Sequence, residues 1–156
     1  MKKLLFVLLI LVFGCSDDKE EDLCFPDGVI IDLIVRNFFV ELVSADGENL
    51  IENGTFKSNE IVLRYKESKI TGSVFENVEG LENVITMNLF GDDGDNTFLI
   101  DLSMSVTDTL VLNLTKTVNE CGIADFSLNS ATYNGLVKTL LPFNEHGDSE
   151  KIVVIK

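Results

Sequence analysis

The sequence predicts an all-β fold: an antiparallel two-sheet sandwich of about eight or nine short strands. Three observations predict it. Apolar residues alternate with polar ones in one short run after another, the signature of a strand with one face buried. Gly, Asn and Asp clusters punctuate the runs at close intervals. No long stretch repeats apolar residues at the helical period.

Val29 to Arg36 reads as the first strand, with Val29, Ile31, Leu33 and Val35 on one face. Phe38 to Val43 is the second, closed by the Asp46-Gly47 turn signal. Asn53-Gly54 marks a further turn. Ile61 to Lys66 alternates cleanly, with Ile61, Leu63 and Tyr65 inward and Val62, Arg64 and Lys66 outward. Ile70 to Phe75 is a short strand containing Gly72, followed by the loop Glu76 to Gly80. Val84 to Phe90 and Thr97 to Met104 read as a hairpin joined by residues 91–96, with Phe98, Ile100, Leu102 and Met104 on one face. Asp108 to Thr115 repeats the alternation through Leu110, Leu112 and Leu114. Asn119 to Gly122 breaks the chain. Ser130 to Leu141 is a strand around Tyr133, with Asn134-Gly135 as a turn or bulge and Pro142 as its end. A polar loop over residues 144–150 precedes a last strand, Ile152 to Ile155. The architecture expected is immunoglobulin-like or transthyretin-like. The buried Trp of true immunoglobulin domains is absent, since the chain has no Trp.

The first fifteen residues are of a different kind. Lys2 and Lys3 precede ten unbroken apolar residues, then Gly14 and Cys15. Ten is too few to cross a bilayer, which takes about 20. The order of a basic start, an apolar stretch and a small residue is that of an export signal. Val12-Phe13-Gly14-Cys15 resembles the lipobox of bacterial lipoproteins, with Phe13 bulkier than is usual there. The resemblance implies a diacylglyceryl thioether on Cys15, cleavage before it and membrane attachment through the lipid. Stable anchoring takes two or more acyl chains.

Ser16 to Asp22 is acidic and lacks apolar residues, so it reads as a solvated tether. It resembles the acidic run that follows the lipidated Cys in surface lipoproteins of Bacteroidetes type. In those the run directs the protein to the outer face of the outer membrane. The periplasmic face is the alternative. The layout further resembles small lipoproteins of that group through Gly47-Glu48-Asn49-Leu50 and through Cys121 with Tyr133-Asn134-Gly135. That likeness brings no known activity. The organisation expected is therefore a signal peptide over 1–14, a lipidated tether over 15–23 and a β-sandwich domain over 24–156.

The leader carries two lysines and no acid. The remaining chain thus holds 10 basic against 26 acidic side chains, a net charge of −16. Such a charge repels nucleic acid and anionic membrane surfaces, so no nucleic-acid role is expected. With Cys15 taken by lipid, Cys24 and Cys121 remain. In an oxidising compartment an even pair reads as a disulfide. It would close a loop of about 100 residues, worth about 4–5 kcal/mol in the chain-entropy view. Two separate buried thiols are the alternative.

Candidate chemistry is sparse. The sole histidine, His146, lies in a polar loop beside Glu145 and Asp148 and reads as exposed. Asp92, Asp93, Asp95 and Asn96 gather four oxygen-bearing side chains within five residues, a possible calcium loop. The order is not that of an EF-hand, and Asp, Gly and Asn also serve turns for backbone reasons. No other cofactor is expected. Asp108-Thr109-Leu110 looks like the Asp-Ser/Thr-apolar O-glycosylation site of exported proteins in this bacterial group, which would modify Thr109. The expectation is a non-enzymatic, lipid-anchored binding or interaction module of the envelope. One alternative is an accessory subunit of an outer-membrane assembly, docking a basic partner. Another is a carboxylate-based hydrolase.

Overall fold

A computed structural model describes residues 36–70, 73–143 and 149–156. These form ten strands in two sheets: β1 (Asn37–Val43), β2 (Val62–Tyr65), β3 (Ser68–Ile70), β4 (Ile85–Asn88), β5 (Gly94–Ser103), β6 (Val106–Val118), β7 (Ala124–Tyr133), β8 (Leu136–Lys138), β9 (Leu141–Pro142) and β10 (Glu150–Ile155). A single 3₁₀ turn, Ser58–Glu60, is the helical exception among the described residues. One sheet runs β4-β1-β10-β9 and the other β3-β2-β5-β6-β7-β8. The all-β, two-sheet sandwich is thus present.

Alternation builds the core. Phe38, Val40 and Leu42 of β1 meet Phe98, Ile100 and Leu102 of β5 and Leu110, Leu112 and Leu114 of β6 in one buried cluster. Ile85 and Met87 of β4, Ile152 and Val154 of β10, and Ala131 and Tyr133 of β7 complete it. Phe39 points to the other face of its sheet, where its ring stacks on Phe143 at 3.6 Å.

Four expectations are corrected. The pairing is not antiparallel throughout, because β1 runs parallel to β10, with Val40 opposite Ile152 and Leu42 opposite Val154. Residues 84–90 and 97–104 do not form a hairpin. β4 pairs antiparallel with β1 in the smaller sheet, whereas β5 pairs with β2 and β6 in the larger one. The chain crosses between sheets over residues 89–93, and Phe90 sets its ring edge-on against Tyr65 and Phe98. Met104 is not a core residue: it tops the β5–β6 turn and is fully exposed. The run Ser130 to Leu141 is three strands. Asn134 and Gly135, both at positive φ (48° and 80°), make the tight turn between β7 and β8, the backbone that a two-residue hairpin loop requires. The expected strand from Val29 lies mostly outside the described residues, as does most of the loop that carries His146.

Candidate functional site

The candidate calcium residues Asp92, Asp93, Asp95 and Asn96 lie where the chain crosses between the sheets, from β4 into β5. Asn96 is inside β5, in phase with Phe98 and Ile100, and is buried. Its Oδ1 accepts from the Tyr65 hydroxyl at 2.9 Å and from the Asp92 N–H at 2.8 Å. Its Nδ2 donates to the carbonyls of Asp92 and Gly94. The three carboxylates diverge. Asp92 pairs with Lys66 at 3.0 Å, Asp93 accepts from the Lys116 N–H at 2.9 Å, and Asp95 accepts from Asn113 Nδ2 at 2.6 Å. The Lys66 ammonium holds the Asp92 carboxyl below the ordinary carboxylate range. Among the described residues no three His, Cys, Asp or Glu side chains converge as metal ligands.

This loop yields a stability prediction. Asn96→Ala removes the acceptor of Tyr65 and the donor to two carbonyls. With an orphaned buried polar group costing about 1–3 kcal/mol, unfolding in denaturant is expected to shift by about 2–3 kcal/mol. Gly91 has a related constraint. Its φ is +144°, and a Cβ there would lie 2.2 Å from Asn96 Oδ1, so only glycine lets Asn96 sit where it does.

The expected glycosylation motif Asp108-Thr109-Leu110 has a structural centre at its first residue. Asp108 lies on the core face of β6, in phase with Leu110 and Leu112, and is 6% exposed. Its carboxylate accepts from the Tyr133 hydroxyl at 2.7 Å and from Asn134 Nδ2 at 2.9 Å, and pairs with Lys156 Nζ at 2.5 Å. Burial works to raise its pKa, but the hydrogen bonds from Lys156, Asn134 and Tyr133 outweigh it and hold it low. The same burial and the neighbouring carboxylate push the Tyr133 phenol far above its usual value. Thr109 faces outward and is half-buried. Its N–H donates to Asn134 Oδ1 and its C=O accepts from the Asn134 N–H, both at 2.8 Å.

A third polar group was not anticipated. On the outer face of the larger sheet, Arg64 of β2 makes a two-pronged pair with Asp101 of β5. Nε donates to Oδ2 and Nη2 to Oδ1, each at 2.7 Å. Thr107 Oγ1 donates to Asp101 Oδ1 at 2.6 Å. The Arg64 hydrogen bonds hold the Asp101 pKa below the ordinary range. With Glu60, Ser103 and Met104 these residues line an open cleft of about 450 Å³. Alternation alone placed Arg64 and Asp101 on the outward face. Their meeting depends on the β2–β5 register, which sets Arg64 opposite Leu99 and Val62 opposite Asp101.

In chemical terms these groups hold strands together. Each carboxylate named is already bonded to a cation, amide or hydroxyl. General acid–base work needs a positioned acid or base facing open space at a reacting atom. Cys121 lies in the turn between β6 and β7, where Asn119 Oδ1 accepts from the N–H groups of Cys121 and Ile123, and it is not a free thiol. Cys15, Cys24 and His146 lie outside the described residues. Among those residues no helix is long and apolar enough to cross a membrane. Comparison with protein-family models, with curated proteins and with solved structures finds no match.

Proposed function

We propose that this chain is a lipid-anchored, non-enzymatic binding or interaction module of the bacterial envelope, held on the outer membrane through Cys15 and displayed on the cell surface. The observation that carries the reading is the order Lys2-Lys3, ten apolar residues, Gly14-Cys15, followed by the acidic run Asp17 to Asp22. A basic, short apolar leader delivers the chain to export, and two or more acyl chains on Cys15 then hold it to the bilayer. The sandwich supports the non-enzymatic part of the reading, because its candidate polar side chains are spent on strand-to-strand contacts. A disulfide between Cys24 and Cys121 belongs to the same reading, since an oxidising compartment favours it. It would fasten the end of the tether to the β6–β7 turn, and the bonded state of Cys121 supports it.

The test uses the full-length gene in a host of the same bacterial type. Wild-type protein is expected in the outer-membrane fraction, labelled by supplied palmitate and removed from intact cells by added protease. Cys15→Ala is expected to lose the label and leave the membrane fraction. Replacing Asp17, Asp18, Glu20, Glu21 and Asp22 together by Ala is expected to keep the label but protect the protein from protease. Retention of the Cys15→Ala chain in the membrane would refute the anchor.

A further inference from the structure

We infer that Asn53-Gly54-Thr55 is a self-modifying site, at which Asn53 converts through a cyclic imide to aspartate or isoaspartate. The reaction needs the nitrogen of the next residue to reach the Asn amide carbon. Glycine permits that approach, because it has no Cβ in the way and a wide choice of backbone angles. The chain holds two Asn-Gly steps, Asn53-Gly54 and Asn134-Gly135. Their surroundings set them apart.

Asn53, Gly54 and Thr55 are exposed in the loop between β1 and β2. Asn53 Oδ1 accepts twice from Thr55, from its N–H at 3.0 Å and from its Oγ1 at 2.7 Å. This turn folds the side-chain amide back along the Gly54 peptide. Donors fixed on a carbonyl oxygen stabilise the negative charge that gathers there when the carbon is attacked. Both donors are thus in place before the Gly54 nitrogen arrives. That nitrogen gives its proton to hydroxide and forms the new bond to Asn53 Cγ. The Cγ–Nδ2 bond then breaks, and ammonia leaves with a proton from water. A second water opens the imide at either carbonyl, which leaves one added negative charge on the chain. Asn53 Nδ2, the leaving group, has no partner among the described residues. The Gly54 N–H donates to the Ile51 carbonyl at 3.0 Å, a single exposed turn bond that has to open first. No atom lies within 4 Å of where a Gly54 Cβ would stand, so the backbone has room to swing.

Asn134 is held where Asn53 is open. Its Nδ2 donates to the Asp108 carboxylate at 2.9 Å, and its Oδ1 accepts from the Thr109 N–H at 2.8 Å. Its own N–H donates to the Thr109 carbonyl at 2.8 Å. The amide must leave Asp108 before ammonia can depart. The product would also set a second carboxylate against one that is 6% exposed, and like charges so placed repel strongly.

The test uses the full-length protein, extracted in detergent from its membranes and incubated at 37 °C and pH 8. Digestion and mass mapping follow the amide-to-acid mass shift, and methyl transfer by an isoaspartyl methyltransferase reports the isomer. In the folded protein Asn53 is expected to convert at least tenfold faster than Asn134. In urea the two rates are expected to converge. Thr55→Val keeps the shape and the N–H but removes the Oγ1 donor, and it is expected to slow Asn53 several-fold in the folded protein and not in urea. An Asn53 no faster than Asn134 in the folded protein would overturn the inference, as would a Thr55→Val chain that converts at the wild-type rate.

Discussion

Asp108→Ala is expected to destabilise the domain by about 3–5 kcal/mol, the cost of removing one partner from a buried ion pair. The loss is large because three groups lean on one carboxylate. Lys156 reaches it from beyond β10, Tyr133 from the end of β7 and Asn134 from the turn that follows. Without it the hydroxyl of the buried Tyr133 loses its acceptor, and the Lys156 ammonium is left over the Phe56 ring, 5.5 Å from its centroid. Tyr133→Phe removes one donor and leaves the ion pair, so its expected cost is smaller, about 1–2 kcal/mol. Chemical denaturation at pH 7 checks both.

The same site sets a pH dependence. The folded-state pKa of Asp108 is below its unfolded value of about 3.9. Its contribution is therefore fully present above that unfolded value and is lost as pH falls through the folded pKa. Asp92 and Asp101 shift in the same direction, but both are more exposed and more screened. Glu150 opposes them, because burial raises its pKa despite the neighbouring Arg36. Its contribution is present at low pH and is lost as pH rises through that raised value. The wild-type unfolding free energy is expected to fall steeply below about pH 4, and Asp108→Asn to flatten that limb.

Phe98→Ala is the second large effect, expected at about 3–5 kcal/mol. Phe98 is fully buried in β5. Its ring lies 4.8 Å from Tyr65 in a stacked pair and 5.4 Å from Phe90 edge-on. Tyr65 also donates to Asn96, so the ring cluster and the crossing segment share a member. Removing Phe98 both opens a cavity and frees Tyr65 to tilt away from Asn96. The substitution is therefore expected to couple with Asn96→Ala: the double variant should cost less than the two single losses added. Additive losses within about 0.5 kcal/mol would show that the ring cluster and the Asn96 bonds are independent.

Local alternation made much of this fold legible. Leu110, Leu112 and Leu114 announced the core face of β6, and Phe98, Ile100 and Leu102 that of β5. The Asn134-Gly135 pair announced its turn. What alternation does not encode is which strands become neighbours. β4 and β5 are adjacent in sequence and both alternate, yet they part into different sheets because Gly91 and Asn96 turn the chain between them. The parallel β1–β10 pair joins residues more than a hundred positions apart, and no local pattern marks it. Asp108 was legible in principle, since it stands in phase with the three leucines. Its chemistry as part of a short modification motif drew attention to Thr109 instead. The Arg64–Asp101–Thr107 group depends on cross-strand register, which is set by the whole sheet.

A lipid-anchored sandwich rests most directly on the covalent state of Cys15. The decisive measurement is the intact mass of the protein taken from the membranes of its own cell type, with the acylated peptide then sequenced. The expected result is a chain running from Cys15 to Lys156 that carries a diacylglyceryl group on the thiol. A chain that retains Met1, or one that begins elsewhere with Cys15 unmodified, would contradict it.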